Sequence, residues 1–260
     1  MNSSKTGFTL VELSIVLVII GLLIGGILVA QSLIDSAKVN KFIRDVQQYE
    51  IAAKSFKEVY RYWPGDVPNA YDFFGAGCGT NDNHYSTGCN GDGNGGLGGA
   101  NYREASMFWV QLSYSGMIGN VRYSRVNTQG YASHVAGVHA PGFSFDDIIA
   151  WPMQYYQSPP IYQLGYGKQS MYFGPRLVAG NTDRKVIPVA ATASIDKKID
   201  DGVPNGGIVL ATDEADEVYN CVIGAVWWQT GVTATYNMDE EVGCTVAIRN
   251  LNEEQVVVIP

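Results

Sequence analysis

The chain contains few basic residues. Its 260 residues include 17 Lys and Arg against 25 Asp and Glu, which gives a formal net charge of −8 at pH 7. Proteins that follow a phosphate backbone present a stripe of Lys and Arg, and this sequence has no such stripe. The composition therefore gives no support to nucleic-acid binding, and nucleic acid is not predicted as a partner.

Histidine and recognisable catalytic motifs are also scarce. The three histidines are His84, His134 and His139, and none has an apparent partner at the spacing of a known catalytic site. Neither G-x-S-x-G nor the phosphate-binding pattern G-x-x-x-x-G-K-[ST] occurs. We therefore predict that the protein is not an enzyme and requires no catalytic cofactor. The alternative is a membrane-anchored exported enzyme. Turnover of any substrate by the soluble part of the chain would reveal it.

Cysteine is limited to four residues, Cys78, Cys89, Cys221 and Cys244. No two of them have the tight C-x-x-C spacing of a metal or redox pair, so disulfides are favoured. Four cysteines allow three pairings. We favour the two sequence-local pairs, Cys78–Cys89 and Cys221–Cys244, because each would close a loop in an oxidising periplasm or at the cell surface.

The most prominent feature present is an apolar run from Phe8 to Ala30. As a helix rising about 1.5 Å per residue it would be roughly 35 Å long, enough to cross a hydrocarbon core of about 30 Å. Only Glu12 interrupts the run with a charge, and a lone carboxylate in lipid calls for a partner. A secretory signal has a shorter core and a small-x-small cleavage site, and a plain anchor would gain nothing from Glu12. Both alternatives fit less well.

The segment Gly7-Phe8-Thr9-Leu10-Val11-Glu12-Leu13, followed by this run, resembles the leader of the type IV pilin and type II secretion pseudopilin family. The resemblance implies that a prepilin peptidase cuts after Gly7 and methylates Phe8. It also implies that the amine of Phe8 neutralises Glu12 of a neighbouring subunit during assembly. The implied partners are that peptidase, homo- and hetero-pilin subunits in a helical filament, and the inner membrane. The second cysteine pair likewise resembles the C-terminal disulfide loop of type IV pilins.

These features predict three parts: a leader over residues 1–7, a transmembrane and polymerisation half of the N-terminal helix over 8–34, and an exported globular head over 35–260 that includes the docked half of the helix. With 46% hydrophobic residues, the head can bury one core. By the positive-inside rule, Lys38, Lys41 and Arg44 after the span favour a head in the cytoplasm. Large domains, however, translocate largely regardless of flanking charge. We expect a bacterial inner-membrane protein with its head in the periplasm, and then a pilus or pseudopilus subunit that can reach the cell surface.

Apolar residues continue the helix beyond the span. They recur at alternating spacings of four and three, which is a helical stripe, and they are Phe42, Val46, Tyr49, Ala53, Phe56 and Tyr60. We expect this stripe to dock on the head and the helix to stop before Pro64-Gly65. Near the C-terminus, β-branched runs predict antiparallel strands at Gly207–Ala211, Cys221–Trp228, Cys244–Arg249 and Val256–Ile259. The fold class is thus α+β, a long N-terminal helix laid across an antiparallel sheet, which is the arrangement of the pilin family.

Two further segments of the head have distinct compositions. Residues Gly75 to Asn101 are rich in Gly, Asn and Asp, and we expect a loop too polar to pack. A helix follows, because Asn101 and Glu104 resemble a capping box and apolar side chains then share one face. The aromatic-rich segment from Trp151 to Phe173 resists assignment to elements. It supports the alternative function, a membrane-anchored exported binding module such as a tip-located minor pilin or adhesin.

The polar loop carries a metal-binding pattern. Asn90, Asp92 and Asn94 alternate with glycines and match the first, third and fifth ligand positions of an EF-hand loop. The twelfth position is Asn101 instead of glutamate, although Glu104 can substitute if the loop folds back. The pattern predicts a weak calcium site, nearer the millimolar range of extracellular modules than a cytosolic sensor. The plainer interpretation is a set of Gly and Asn turns.

A second acidic group follows a short predicted helix near position 200. The helix holds Ile195 and Ile199 and ends at Gly202. We expect Asp196, Asp200 and Asp201 to form a solvated helix end and not a metal cluster.

Overall fold

The computed structural model describes residues 7, 9–81, 88–97, 103–119, 121, 136–145, 148–153, 170–174, 187–212, 221–224, 233–238 and 243–249. Its helices are α1 (Leu10–Tyr60), α2 (Ala70–Phe74), α3 (Arg103–Tyr114) and α4 (Val189–Ile199), with a 3-10 turn at Gly75–Gly77. Its strands are β1 (Ile149–Met153), β2 (Ser170–Gly174), β3 (Ile187–Pro188), β4 (Val209–Thr212), β5 (Val222–Ile223), β6 (Thr235–Tyr236) and β7 (Gly243–Ile248). The fold is α+β, as predicted.

Helix α1 runs without interruption for 51 residues. At about 1.5 Å per residue it is roughly 75 Å long. It begins after the N-cap Thr9 and ends at Arg61, whose φ of 66° turns the chain into the left-handed region. The helix therefore stops before Pro64, as the sequence predicts, but three residues earlier than the proline alone requires.

The two halves of α1 have opposite environments. The large apolar side chains from Leu10 to Ile34 are between 45% and 87% exposed. In the second half the predicted stripe faces the head: Phe42, Val46, Ala53 and Phe56 are buried, and Tyr49 and Tyr60 pack against the core. The prediction that this stripe docks on the head is confirmed.

Strand β7 is the centre of the main sheet. It pairs in antiparallel fashion with β2, β3 and β4, and β1 extends the sheet by pairing with β2. Tyr172 of β2 and Leu210 of β4 both lie opposite Ala247, so β7 is flanked on both edges. Strands β5 and β6 form a separate antiparallel pair.

The helices attach to this sheet and to one another through specific contacts. Trp109 of α3 donates a hydrogen bond from its ring nitrogen to the Ala150 carbonyl of β1 at 2.8 Å. The same ring lies edge-on to Tyr49 of α1, with centroids 5.2 Å apart. On the other side, Lys198 of α4 donates to the side chain of Asn40 in α1 at 2.6 Å. The docked half of α1 is therefore held between α3 and α4.

The expected strands agree with the structure where it describes them. Strand β4 covers most of the predicted Gly207–Ala211 strand, and β7 covers most of Cys244–Arg249. Of Cys221–Trp228 only Val222–Ile223 is described as a strand, and Val256–Ile259 lies outside the described residues. Most of the aromatic segment, residues 154–169, also lies outside them, as does the proposed cap at Asn101.

The cysteines form the two sequence-local disulfides. Cys78–Cys89 closes the base of the polar loop, with Cα atoms 5.4 Å apart. Cys221–Cys244 joins the residue before β5 to the central strand β7, with Cα atoms 5.3 Å apart. All four cysteines are fully buried. The second bridge thus ties the small sheet to the main one.

Candidate functional site

The N-terminal end of α1 is organised by Thr9 and Glu12. The Glu12 carboxylate accepts hydrogen bonds from the backbone N–H and the hydroxyl of Thr9, both at 2.8 Å. The Glu12 N–H in turn donates to the Thr9 hydroxyl at 3.2 Å, which completes a capping box. Within this chain the Glu12 carboxylate therefore caps its own helix. Gly7 is exposed just before the helix, and Phe8 lies outside the described residues.

The exposed half of α1 is an uncovered apolar surface far larger than soluble proteins usually present. Gly21, Gly25 and Gly26 interrupt it, and a Cβ added to any of them would meet no atom within 4 Å. Their smallness is therefore not required for packing within this chain. Small residues on an apolar helix allow another helix to approach closely, so these glycines mark a face suited to helix–helix contact.

Helix α1 is long and apolar enough to cross a membrane, and the most apolar stretch of it is unburied in the structure. An N-terminal signal sequence would satisfy the same criterion, so length and hydropathy alone do not distinguish an anchor from a signal. Helix α1 is continuous and its second half is part of the folded head, so the apolar half is joined to the head without a break in the helix.

Comparison with known proteins identifies the same segment. Residues 2–28 match the family model of the prokaryotic N-terminal methylation motif, the prepilin-type signal of type IV pilins and pseudopilins. No curated protein and no solved structure matches the chain. The chain therefore carries a prepilin-type signal, and the match covers its start and not its head.

The polar loop packs more closely than its composition suggests. Asn90 is only 9% exposed, Leu97 is fully buried, and a Cβ on Gly91 would lie 2.2 Å from the backbone carbon of Asp66. The expectation that this loop is too polar to pack is wrong for residues 88–91 and 96–97, which are buried. Two links hold the loop against the segment after α1. One is the disulfide at Cys89, and the other is the hydrogen bond from the Gly91 N–H to the Val67 carbonyl at 2.7 Å.

The structure gives the predicted calcium ligands different hydrogen-bond partners. The Asn90 amide oxygen accepts from the Tyr71 N–H at 2.8 Å, so this side chain caps the start of α2. Asp92 accepts from both the backbone and the side-chain nitrogen of Asn94, at 3.0 and 2.9 Å. The Asp92 N–H donates to the Glu104 carboxylate at 3.1 Å. Asp92 and Glu104 are thus brought together, as the predicted fold-back requires, while Asn90 has a different role.

A third carboxylate joins that pair. One oxygen from each of Asp66, Asp92 and Glu104 lies within 4.8 Å of the others. Asp66 and Glu104 are buried, and Asp92 is exposed. The Asp66 Oδ2 accepts from the Gly95 N–H at 3.0 Å, whereas no described residue donates a hydrogen bond to its Oδ1. The acidic cluster of Asp66, Asp92 and Glu104 is therefore buried on one side and open to solvent at Asp92.

The surroundings of Asp66 disfavour its charged form. Burial raises the pKa of Asp66 to about 6 from 3.8, and the negative charge of Asp92 adds to the rise. The hydrogen bond from the Gly95 N–H opposes it. No described Lys or Arg forms a salt bridge with Asp66. Ionisation of this carboxylate therefore carries a cost that a nearby cation would offset.

The second acidic group, at the end of α4, is satisfied from within the protein. The two oxygens of Asp196 accept from the Gly202 N–H at 3.1 Å and from the Tyr236 hydroxyl at 2.7 Å. Asp200 accepts from the N–H groups of Ile208 and Val209. Burial is the main cause that raises the pKa of both Asp196, to about 6, and Tyr236.

The expectation of a solvated helix end is therefore wrong for Asp196, which is fully buried. Its carboxylate organises the turn between α4 and β4. Asp200 does the same, and Gly207 is required there because a Cβ would lie against the Asp200 carboxylate.

Asp66 is the site residue that the sequence pattern does not reveal. It lies in the turn Trp63-Pro64-Gly65-Asp66, which is far along the chain from both Asp92 and Glu104. A local hint exists, because an aspartate directly after Pro-Gly suits a tight turn, but turn chemistry explains such a residue without any ligand.

Proposed function

We propose that this protein is a non-enzymatic structural subunit, a pilin or pseudopilin, that polymerises through the first half of α1 into a type IV pilus or a type II secretion pseudopilus. The observation that carries the proposal is the combination of the prepilin-type signal at residues 2–28 with a helix whose first half is exposed and whose second half is built into the head. An apolar helix anchored in this way suits both a membrane before assembly and a filament core after it.

The proposal divides the chain as follows. Residues 1–7 are removed, residues 8–34 span the inner membrane and later pack in the filament, and residues 35–260 form an exported head. Two buried disulfides support an oxidising location for that head. The head therefore lies in the periplasm before assembly. The partners are a prepilin peptidase and other pilin-type subunits.

Processing at Gly7 is the first expected result. In cells with an active prepilin peptidase, mass spectrometry of the membrane fraction should find a chain that begins with N-methylated Phe8, because a small residue before the apolar helix is what such a peptidase accepts. In a matched strain without the peptidase the same chain should retain residues 1–7. A mature protein that begins at any other residue, or that keeps its leader in both strains, would contradict the assignment.

Substitution of Gly25 tests whether the exposed face packs against other subunits. Gly25→Leu meets open space in the isolated subunit, so insertion, processing and head folding should be unchanged. Filament yield in the sheared and pelleted fraction should fall to a small part of the wild-type yield, because the added side chain prevents close helix approach. Ile24→Leu is the matched control, since it adds leucine at the adjacent position without adding volume. Equal filament yields from the two variants would show that Gly25 is not at a helix contact.

A further inference from the structure

We propose that the acidic cluster of Asp66, Asp92 and Glu104 binds one calcium ion that joins three separate segments of the head. This ligand set differs from the EF-hand pattern in the sequence, because Asp66 takes the place of Asn90 and Asn94. It is also independent of the proposed polymerisation, since none of its residues lies in the exposed half of α1.

The buried oxygen of Asp66 is the observation that points to a ligand. Asp66 is 0% exposed, and its Oδ1 accepts no hydrogen bond from any described residue. A buried polar atom of this kind costs free energy unless something satisfies it, and a buried charge costs more. Two further carboxylates lie within 4.8 Å, so an additional acceptor cannot relieve the site. A cation can, since it is attracted to all three groups at once.

The group at the end of α4 provides an internal comparison. It also consists of three aspartates with oxygens within 4.8 Å of one another. There, N–H donors and the Tyr236 hydroxyl occupy the carboxylate oxygens that face the protein, so the negative charge is already dispersed. Among the described residues, the second cluster has no buried carboxylate oxygen that lacks a hydrogen-bond donor, whereas the first cluster has Asp66 Oδ1. The two clusters therefore should respond differently to added cation.

The donor atoms select the kind of metal. All three ligands are carboxylates, which are hard oxygen donors suited to calcium or magnesium, and the nearby cysteines are committed to a disulfide. Calcium accepts oxygen ligands at about 2.3–2.6 Å in irregular arrangements, whereas magnesium demands near-ideal octahedral geometry at about 2.0–2.1 Å. A turn, a loop and a helix that contribute one carboxylate each form an irregular set. The open side at Asp92 leaves room for the water ligands that complete the shell.

The ion would link the turn after α1, through Asp66, to the polar loop, through Asp92, and to α3, through Glu104. These segments already contact one another through Gln111, which accepts from the Gly65 N–H at 2.6 Å and donates to the Cys89 carbonyl at 3.0 Å. The proposed calcium ligands belong to the same segments, since Asp66 directly follows Gly65 and Glu104 lies on α3 with Gln111. Binding should therefore stabilise the head as a whole and not just the loop.

The test is a thermal melt of the processed full-length protein in detergent, with and without calcium. For a dissociation constant of about 10⁻⁴–10⁻³ M, calcium at about 10 mM should raise the melting temperature of the head by about 3–10 °C. Isothermal titration should give one site per chain. Magnesium at the same concentration should produce a clearly smaller shift.

Three variants assign the effect to the cluster. Asp66→Asn should lose the calcium-dependent shift while melting no lower than wild type without metal, because it removes a buried charge. Asp92→Asn, at the exposed ligand, should also lose the shift, and it decides the question if Asp66→Asn does not fold. Asp72→Asn, an exposed carboxylate on α2, is the matched control and should keep the full shift. Absence of a shift in wild type, or an equal shift in all variants, would overturn the site, and an equal response to magnesium would overturn the choice of calcium.

Discussion

Replacing Glu12 by alanine is expected to remove nearly all filament while leaving the processed subunit in the membrane with a folded head. The substitution deletes a carboxylate from an apolar helix, so insertion should if anything become easier. Under the proposed function, it also deprives the incoming subunit's amine of the group that neutralises it. The measurement is the amount of subunit in the sheared filament pellet relative to the membrane pool. Glu12→Asp, with a shorter reach, should give an intermediate yield.

The capping box supplies the matched controls for that experiment. Because Glu12 also caps α1 through Thr9, a defect in Glu12→Ala has two explanations, loss of charge and loss of the cap. Thr9→Ala removes the side-chain part of the cap and keeps the carboxylate, so it should assemble. Glu12→Gln keeps a hydrogen-bond acceptor for the Thr9 N–H and removes the charge, so it should fail. The reverse pattern would mean that helix capping, and not neutralisation of an amine, is the role of Glu12.

The second large effect is expected at Gly65, in the turn that follows α1. Its φ is +92°, and a Cβ there would lie 2.2 Å from the Glu104 carbonyl oxygen. That oxygen belongs to the backbone of α3, so it cannot move away as a flexible side chain would. Gly65→Ala should destabilise the head by about 3 kcal/mol or more, through the combination of left-handed backbone and steric overlap. Denaturant unfolding of the detergent-solubilised protein, followed by tryptophan fluorescence, measures the loss.

Alanine substitutions at two other glycines separate the contributions of backbone strain and steric overlap to that loss of stability. Gly116 has a φ of +75° but no atom within 4 Å of its added Cβ, so Gly116→Ala isolates the backbone strain and should cost about 1–2 kcal/mol. Gly119 has neither feature, and Gly119→Ala should change stability by less than about 0.5 kcal/mol. If Gly65→Ala is no worse than Gly116→Ala, the turn after α1 is not pressed against α3 as described.

The features that could be predicted from sequence are those set by local pattern. The stripe from Phe42 to Tyr60 is periodic, so its burial follows from helical geometry alone. Where the periodicity is short, the sequence predicts less. The predicted helix is defined only by Ile195, Ile199 and its end, and its start at Val189 is not predicted, because the N-cap Pro188 makes no side-chain cap bond and gives no start signal. The exact end of α1 also has no clear signal in the sequence. Arg61 adopts a left-handed conformation that is rare for residues other than glycine, and the cation of Lys57 then lies 4.4 Å from the buried Trp63 ring.

The acidic clusters show the limit of sequence patterns most clearly. The spacing of Asn90, Asp92 and Asn94 draws attention to the loop, but it cannot reveal Asp66, which only the fold brings near. Likewise the burial of Asp196 depends on Tyr236, which comes from a strand far along the chain. Contacts between residues distant in sequence decide whether a carboxylate is solvated, satisfied or in need of a cation.

The central claim, that the subunit polymerises through the first half of α1, is tested most directly by the N-terminus of the chain in the polymer. Filaments or pseudopili should be sheared or detergent-released, separated from monomer by size, and analysed by mass spectrometry for the N-terminal peptide. We predict a high-mass fraction that contains this chain beginning with N-methylated Phe8, together with a processed monomer pool in the membrane. A chain found only as a monomer in cells that assemble such filaments, or one present in the polymer with residues 1–7 still attached, would contradict the claim.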